Sequence, residues 1–313
     1  MIEPMTPDGT DLDVSIVLPV YNERGHLREE IERIQGVMDA SEFSYEIVVV
    51  DDGSTDGSAE ELRTIEGIRL IQYAQNRGAG AVRKIGTHQS KAPIVVWTDV
   101  DMSYPNEQIP ELVRQLDGCD QVVGARTSEE GTHKAARVPA KWAIRRLAEY
   151  LTRTEIPDLN SGFRAFRRDV ALQFLNILPD GFSHVTTMTM AFLSNGYSVT
   201  YLKIPYAKRA GKSKFHWYSD TRRYLLQVIR MMLTYDPLRV LMPWAVLILG
   251  FATGKLVYDL ATKDWRVGSN TLLAFVAGFM VLLVAVLADL IVQVTKPPYE
   301  VDPAPKQASR QVR

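Results

Sequence analysis

Short strand-like segments that alternate with helical patterns constrain the fold of this chain more than any other feature. These segments begin at Val14, Glu46, Ile68, Ile94 and Gln121, and polar turns and amphipathic stretches separate them. Strands and helices that alternate at this spacing are typical of a mostly parallel, doubly wound sheet. The sequence therefore predicts a Rossmann-like α/β domain.

Acidic residues follow three of these predicted strands. Glu23 follows the first, Asp51 and Asp52 the second, and Asp99 and Asp101 the segment that starts at Ile94. Carboxyl ends of parallel strands meet at one edge of a sheet, where open α/β folds bind ligands. We therefore expect the three loops to converge on one crevice.

Asp99 and Asp101 are two residues apart, so on extended backbone their side chains point the same way. Both could then approach one divalent cation, and Mg²⁺ and Mn²⁺ favour carboxylate oxygens that they share with substrate phosphates. A solvated exit from a strand would look the same in sequence, and Asp51–Ser54 equally fits a plain turn with a helix cap. Both readings stay open at this point.

Several motifs occur in a fixed order: LPVYNE, VVVDDGSTDGS, NRGAGAVRKIG, TDVDMSYP, VVGAR, DLNSGFRAFRRDV and KRAGKSKF. Together they resemble the family-two glycosyltransferases of GT-A fold. Within that family the chain looks most like the polyprenyl-phosphate sugar synthases, the group of dolichol-phosphate mannose synthase and its bacterial glucosyl relatives. The resemblance covers residues 14–220 and resumes in the apolar C-terminal part.

This resemblance implies a metal-dependent, inverting transfer of a hexose. The donor would be GDP-mannose, UDP-glucose or a UDP-N-acetylhexosamine, and the acceptor undecaprenyl, decaprenyl or dolichyl phosphate. It also implies that Asp101, with Asp99, holds Mg²⁺ or Mn²⁺. Ser103 stands where many members carry a Gln beside the metal, and it would be a weaker third ligand. The first donor loop and the base-reading position would be supplied by Pro19, Tyr21, Glu23, Asp51 and Asp52.

The resemblance assigns the acceptor side to basic residues, which suit phosphate. Arg126 and a basic residue such as Arg137 would hold the lipid phosphate, and Arg209 would reach the donor diphosphate. Asp99, Asp101, Arg126 and Arg209 would thus be the catalytic residues. The remaining acceptor candidates are Ser161, Arg164, Lys212 and Lys214. Arg164 fits a structural ion pair equally well, and the two lysines also fit a solvated basic face.

Composition narrows the partners. The formal net charge is −1, so no bulk attraction for nucleic acid is expected. The single cysteine, Cys119, excludes an internal disulfide and suits a reducing compartment. No His/Cys pattern with zinc-ligand spacing occurs. Residues 1–13 are expected to be a flexible segment without the pattern of a secretory signal.

Two long apolar runs, Val240–Ala261 and Thr271–Val294, follow the predicted domain of residues 14–216. Each is long enough to cross a hydrocarbon core of about 30 Å, although buried core helices would read similarly. We expect a transmembrane hairpin in 238–295 and a disordered tail in 296–313. The segment 217–237 is expected to be an amphipathic helix, in the headgroup layer or packed on the domain.

Basic residues are sparse between the two runs and frequent on either side of them. This bias predicts an inner or plasma membrane protein whose catalytic domain and both termini are cytoplasmic. A homo-oligomer is compatible with the prediction.

Two other classes of function are compatible with parts of the sequence. A processive polysaccharide synthase shares the early motifs, but its Gln-x-x-Arg-Trp motif is missing because no Arg-Trp pair occurs in the chain. A non-catalytic membrane scaffold built on an inactive transferase fold is the other. The intact Asp99, Asp101 and Arg126 argue against it.

Overall fold

The computed structural model describes residues 12–127, 145–146, 148–150, 152–181, 183–207, 233, 236–262 and 265–295. Most of 217–237 and all of 296–313 lie outside this part, so the predicted amphipathic helix and tail stay predictions. Within the described residues seven strands form one sheet. They are β1 Val14–Val20, β2 Tyr45–Asp51, β3 Ile68–Gln72, β4 Ile94–Trp97, β5 Gln121–Arg126, β6 Arg164–Arg167 and β7 Val199–Ile204.

The strand order is β3-β2-β1-β4-β6-β5-β7, and β1 to β4 pair in parallel. Strand β5 pairs in parallel with β7, whereas β6 runs antiparallel between β4 and β5. The predicted mostly parallel α/β sheet is therefore confirmed. The carboxyl ends of β1, β2 and β4 lie at one edge, as the register of Val14 with Tyr45 and with Ile94 requires.

Helices cover the sheet. They are α1 Leu27–Asp39, α2 Ser58–Leu62, α3 Ala79–Gln89, α4 Ile109–Arg114, α5 Arg168–Leu172 and α6 His184–Ser194. Helix α1 buries Leu27, Ile31, Ile34 and Met38, whose spacing puts them on one helical face. That apolar face joins the core formed with β1 and β2.

Helix α3 approaches β1 closely at Gly86. A Cβ atom on Gly86 would lie 2.3 Å from Cγ1 of Val17, which is fully buried. Only a residue without a side chain leaves room for Val17 at this distance. The close packing fixes α3, and with it the loop that precedes it, against the central strand.

Helices α7 Pro237–Thr262 and α8 Ser269–Thr295 form a separate compact unit. They pack tightly on each other, since a Cβ on Gly278 would lie 2.6 Å from Cδ2 of Leu249. Both are long and apolar enough to cross a membrane, with mean hydropathies of 1.8 and 2.8. Only 11% of each apolar stretch is buried, which argues against core helices of a soluble domain.

Asp259 fixes the turn of this hairpin. Its Oδ2 accepts hydrogen bonds from the Gly268 amide (3.0 Å) and the Thr271 hydroxyl (2.5 Å). Lys255 Nζ lies 3.6 Å from Oδ1 of the same carboxylate. Asp259 of α7 therefore holds the start of α8, because it accepts from the backbone amide just before this helix and from a side-chain hydroxyl in its first turn.

Candidate active site

A cavity of about 380 Å³ opens at the carboxyl edge of β1, β2 and β4. Glu23, Asp52, Asp99 and Asp101 all line it, so the acidic loops that the sequence placed in one crevice do meet there. Pro19 near the end of β1, Tyr21 directly after this strand and Arg126 of β5 also border the cavity. Asn160 and Gly162, from the DLNSGFRAFRRDV motif expected to face the acceptor, also line it. Further lining residues, unexpected from sequence, include Asn76, Arg83, Tyr104, His184 and Tyr206.

Asp99 and Asp101 lie in the loop after β4, because the strand already ends at Trp97. The backbone is therefore not extended here as expected: the loop bends at residues 100–102, and Met102 has a positive φ of 61°. Both carboxylates nevertheless line the same cavity. Asp101 is 3% exposed, and its Oδ1 accepts hydrogen bonds from the Ser103 amide (3.1 Å) and from the Ser103 hydroxyl. The turn, rather than the strand, orients Asp101.

Asn106 supports the same loop from behind. Its side-chain oxygen accepts a hydrogen bond from Thr98 Oγ1 (2.6 Å), and its amide nitrogen donates to Glu30 and, at 3.4 Å, to the Asp99 carbonyl. Glu30 is fully buried, and burial raises its pKa although Arg33 lies against it. These buried contacts tie the loop to α1.

Arg83 of α3 pairs with Asp99 and is a site residue that sequence reasoning missed. Its Nη2 donates to Asp99 Oδ1 at 2.6 Å, and its Nη1 donates to His184 Nε2 at 2.8 Å. Its guanidinium lies 5.5 Å from the ring centre of Trp97. The only signal in the sequence is a charged residue among the small and apolar residues Gly80–Val82 that α3 also buries.

His184 is a neutral imidazole in this structure. Burial, and then the charge of Arg83, lower its pKa well below the usual value. Its Nδ1 lies 2.7 Å from the Gly181 carbonyl, which can only accept, so Nδ1 carries the proton. Because an arginine can only donate, Nε2 is the acceptor for Arg83.

Asp52 organises the loop before α3. Its two carboxylate oxygens accept hydrogen bonds from the backbone amides of Arg77 (2.8 Å) and Gly78 (2.9 Å). The amide of Gly80 donates to the Asp180 carbonyl at 2.8 Å, so a neighbouring loop covers the start of this helix. Asp51 is not among the lining residues. It is 2% exposed and accepts from Ser54 N (3.1 Å) and Gln72 Nε2 (3.4 Å).

Arg126 faces Asp158 in a two-point ion pair, with Nε–Oδ2 and Nη2–Oδ1 distances of 2.6 and 3.0 Å. The guanidinium also lies 5.1 Å from the ring centre of Tyr206. Burial alone would raise the pKa of Asp158, but the hydrogen bond and charge of Arg126 outweigh it and lower the pKa. Asp158 opens the DLNSGFRAFRRDV motif, but nothing in the sequence predicts that it pairs with Arg126.

Arg164, predicted on the acceptor side, is fully buried in β6 and does not line the cavity. It donates to the carbonyls of Ser161 (3.2 Å from Nε) and Val185 (2.9 Å) and to Thr189 Oγ1 (3.0 Å). Burial lowers its pKa to about 10, so it stays charged at neutral pH. This position fits the structural alternative, although these partners are neutral. Ser161 is also fully buried.

Four predicted site residues, Arg137, Arg209, Lys212 and Lys214, lie outside the described residues. Their predicted contacts with acceptor or donor phosphate stay predictions.

The donor set fits a divalent cation that a substrate completes. No group of three or more His, Cys, Asp or Glu side chains in the described part of the chain could hold a metal ion alone. Asp99 and Asp101 both line the cavity, and Mg²⁺ is usually bound by one or two carboxylates together with substrate phosphates. The Ser103 hydroxyl is directed to Asp101.

Comparison with known proteins agrees with this architecture. The family model described as glycosyl transferase family 2 matches residues 15–174, just over half of the chain. The undecaprenyl-phosphate 4-deoxy-4-formamido-L-arabinose transferase of Edwardsiella ictaluri is 32% identical over 257 residues, which cover 78% of this chain and 75% of that protein. The transferase of the same name from Klebsiella pneumoniae subsp. pneumoniae is 29% identical over 259 residues with the same coverage.

Solved structures show the same fold at lower identity. Glucosyl-3-phosphoglycerate synthase from Mycobacterium tuberculosis, crystallised with Mn²⁺, UDP and glucosyl-3-phosphoglycerate, has a TM-score of 0.55 and 21% identity. The alignment covers 70% of this chain and 80% of that one. The family match, the relative above 30% identity and the shared sheet agree: the chain belongs to glycosyl transferase family 2 and is a glycosyltransferase of GT-A fold.

Proposed function

We propose that this enzyme transfers a sugar from a nucleotide sugar to a polyprenyl phosphate. The two relatives above match this chain over three quarters of their own length, and both are named as undecaprenyl-phosphate transferases. Their names support this class of acceptor. Their sugar is a formamido-arabinose, which is a pentose derivative. The proposal therefore widens the expected hexose to a sugar whose identity is open.

The observation that carries the proposal is the charge arrangement of one cavity. Asp99 and Asp101 line it together with Asp52, and Arg83 and Arg126 line it as well. Carboxylates alone would repel a diphosphate, and arginines alone would leave a cation without ligands. Both signs in one cavity suit a metal-bound donor diphosphate beside a second phosphate.

Asp99 and Asp101 would hold Mg²⁺ or Mn²⁺, which would neutralise the negative charge that grows on a leaving diphosphate. The chain's own contribution is to fix these two carboxylates. Ser103 holds Asp101 through its amide and hydroxyl, and Arg83 holds Asp99.

A phosphate acceptor needs no carboxylate to remove a proton. The second pKa of a phosphate monoester is about 6, so it is largely dianionic at pH 7 and already nucleophilic. The site must instead hold two phosphates that repel each other in line. Arg126 lies in the cavity with Tyr206 and is the candidate for the acceptor phosphate. In-line attack would invert the anomeric centre.

The apolar hairpin supports attachment to a membrane. Helices α7 and α8 expose most of their apolar residues, which suits a hydrocarbon environment. Between the two helices the sequence has two basic residues, Lys263 and Arg266. More basic residues lie before the first helix and after the second. We therefore propose that the catalytic domain and both termini are cytoplasmic.

A donor and acceptor screen tests the proposal. The purified full-length protein is incubated in detergent with Mn²⁺ or Mg²⁺, a panel of UDP- and GDP-sugars, and undecaprenyl phosphate, undecaprenol or an oligosaccharide. We expect a lipid-linked sugar only with the phosphate, and none from the Asp101→Asn variant. Transfer to the free alcohol or to a sugar chain would favour a polysaccharide glycosyltransferase. No turnover of any sugar nucleotide would favour a scaffold.

A further inference from the structure

A chain of hydrogen bonds runs from the backbone of one loop to Asp99. The Gly181 carbonyl accepts from His184 Nδ1 (2.7 Å), His184 Nε2 accepts from Arg83 Nη1 (2.8 Å), and Arg83 Nη2 donates to Asp99 Oδ1 (2.6 Å). Arg83 donates in both directions, to Asp99 on one side and to His184 on the other, and His184 in turn donates to the Gly181 carbonyl. The chain links two helices, α6 and α3, to the loop after β4.

Arg83 has little freedom in this arrangement. It is 4% exposed, and its guanidinium is placed both by Trp97, 5.5 Å away, and by the imidazole of His184. The imidazole in turn is fixed by Gly181. These two contacts hold the guanidinium in the orientation in which Nη2 donates to Asp99.

Gly162 leaves the space that Arg83 occupies. A Cβ on Gly162 would lie 2.9 Å from Arg83 Nη2 and 3.3 Å from the Tyr104 hydroxyl oxygen. That hydroxyl accepts a hydrogen bond from the Gly162 amide at 2.8 Å, so the backbone here is held in place. A side chain at Gly162 would therefore clash with Nη2 of Arg83, the atom that donates to Asp99, and would displace it.

We propose that Arg83, held by His184 and accommodated by Gly162, is a positioning residue that orients the Asp99 carboxylate for the divalent cation and the donor diphosphate. The inference rests on the proposed function. The alternative is that the Arg83–Asp99 ion pair only stabilises the fold. Loss of Arg83 would weaken cation binding if it is a positioning residue, and would leave cation binding unchanged if the pair is only structural. Partners that orient a metal-bound side chain typically change metal affinity or activity about 10- to 100-fold when they are removed.

The first test measures cation binding directly. Mn²⁺ is titrated into the full-length protein with UDP, and in parallel with GDP, and the loss of the free Mn²⁺ signal is followed by electron paramagnetic resonance. Arg83→Met should raise the Mn²⁺ dissociation constant about 10-fold or more. Arg167→Met is the matched control, because Arg167 lies at the far end of β6 and pairs with Asp169, and it should bind as the parent does.

Variants of His184 test whether the hydrogen bond from Arg83 to His184 matters for cation binding. His184→Phe keeps a ring but removes the acceptor, so it should weaken Mn²⁺ binding in the same direction as Arg83→Met. His184→Gln supplies a side-chain oxygen that can accept from Arg83, and its loss should be several-fold smaller. Equal losses for the Phe and Gln variants would overturn the role of the imidazole acceptor.

Gly162→Ala provides a test that removes no charged group. It should raise the Mn²⁺ dissociation constant in the parent, yet add nothing in the Arg83→Met background, because both changes break the same contact. Additive losses would mean that the methyl group acts by filling the cavity, and they would overturn the inference. The unfolding midpoint of each variant is measured alongside.

The outcomes separate this inference from the proposed function. If Arg83→Met binds Mn²⁺ as the parent does while Asp101→Asn does not, Arg83 has no positioning role and the metal site stands. If Asp101→Asn also binds and transfers as the parent does, the proposed metal site itself fails.

Discussion

Arg126, which borders the cavity, donates two hydrogen bonds to the carboxylate of Asp158, from Nε to Oδ2 (2.6 Å) and from Nη2 to Oδ1 (3.0 Å). Their side chains are only 13% and 10% exposed. Asp158 therefore already neutralises the arginine proposed for the acceptor phosphate, and an incoming phosphate has to share that guanidinium. Any substitution of Arg126 changes the stability of the domain as well as its binding.

Arg126→Ala should raise the acceptor KM and lower kcat, because the guanidinium would offset repulsion between two phosphates only when the acceptor is present. It should also lower the free energy of unfolding by about 3–5 kcal/mol, since Asp158 loses a nearly buried partner. Steady-state kinetics and denaturant unfolding measure both effects. The double variant Arg126→Ala/Asp158→Ala separates them: it should recover part of the stability and none of the acceptor binding.

The lowered pKa of Asp158 predicts an acid-labile domain. The ion pair contributes stability in full above the pKa of an unfolded Asp, about 3.9, and this contribution is lost as the pH falls through the lower folded pKa. The free energy of unfolding should therefore decrease more steeply below about pH 4 in the parent than in Asp158→Asn. Parallel pH profiles for the two proteins would contradict this assignment.

Asp101→Asn should reduce transfer by a factor of about 100 or more, because one charged ligand is lost from a cation that neutralises the leaving group. Asp99→Asn should be comparably harmful. The measurement is transfer rate against Mn²⁺ concentration with the optimal donor. Activity that is the same in excess EDTA as in Mn²⁺ would rule out the metal site.

Two glycines in different helices, Gly86 of α3 and Gly36 of α1, should respond in opposite directions to alanine. Gly86→Ala places a Cβ 2.3 Å from Val17 and should destabilise the domain by about 1–3 kcal/mol. Gly36 of α1 is exposed, and no atom lies within 4 Å of the place that an alanine methyl group would take. Gly36→Ala should therefore stabilise the domain by about 0.5–1 kcal/mol. Thermal or urea unfolding of both variants checks the pair.

Removal of the chain after Asp236 should leave a folded transferase domain, because α7 and α8 form a compact unit of their own and all the transferase motifs precede them in the sequence. The shortened protein should still use short-chain, soluble prenyl phosphates. It should use long-chain lipid in bilayers much more poorly than the full-length enzyme. Equal rates on the long-chain lipid would exclude a role of the hairpin in delivering the acceptor.

The first five strands could be predicted because each is an apolar run with a polar turn after it. Strand β6 could not, since RAFR has a charged residue at each end and its place depends on β4 and β5, which are distant in sequence. Convergence of the acidic loops followed from strand direction alone. The Asp99–Arg83 pair did not, because burial of Arg83 depends on Trp97 and on His184, about a hundred residues away along the chain.

Arg164 was predicted as a site residue, but it is buried and does not line the cavity. A basic residue in a motif beside the acceptor loop suggested phosphate binding, but the fold surrounds it with backbone carbonyls and a threonine hydroxyl. Sequence gives no sign of such acceptors, since every residue other than the threonine contributes only its main chain. The charge was visible in the sequence and its environment was not.

The reversed direction of β6 has a consequence for how this enzyme could change its acceptor. Trp97 at the end of β4 aligns with Arg164 at the start of β6, so the segment that enters β6 arrives where the Asp99 loop leaves β4. Gly162, just before β6, and Asp99, just after β4, thus border one cavity although the two strands run in opposite directions. Insertions or deletions between β5 and β6 would leave both ends of this segment in place, because the two strands are fixed in the sheet. Under the proposed function, a change of length there would alter the acceptor side while β1, β2 and β4 on the donor side keep their register.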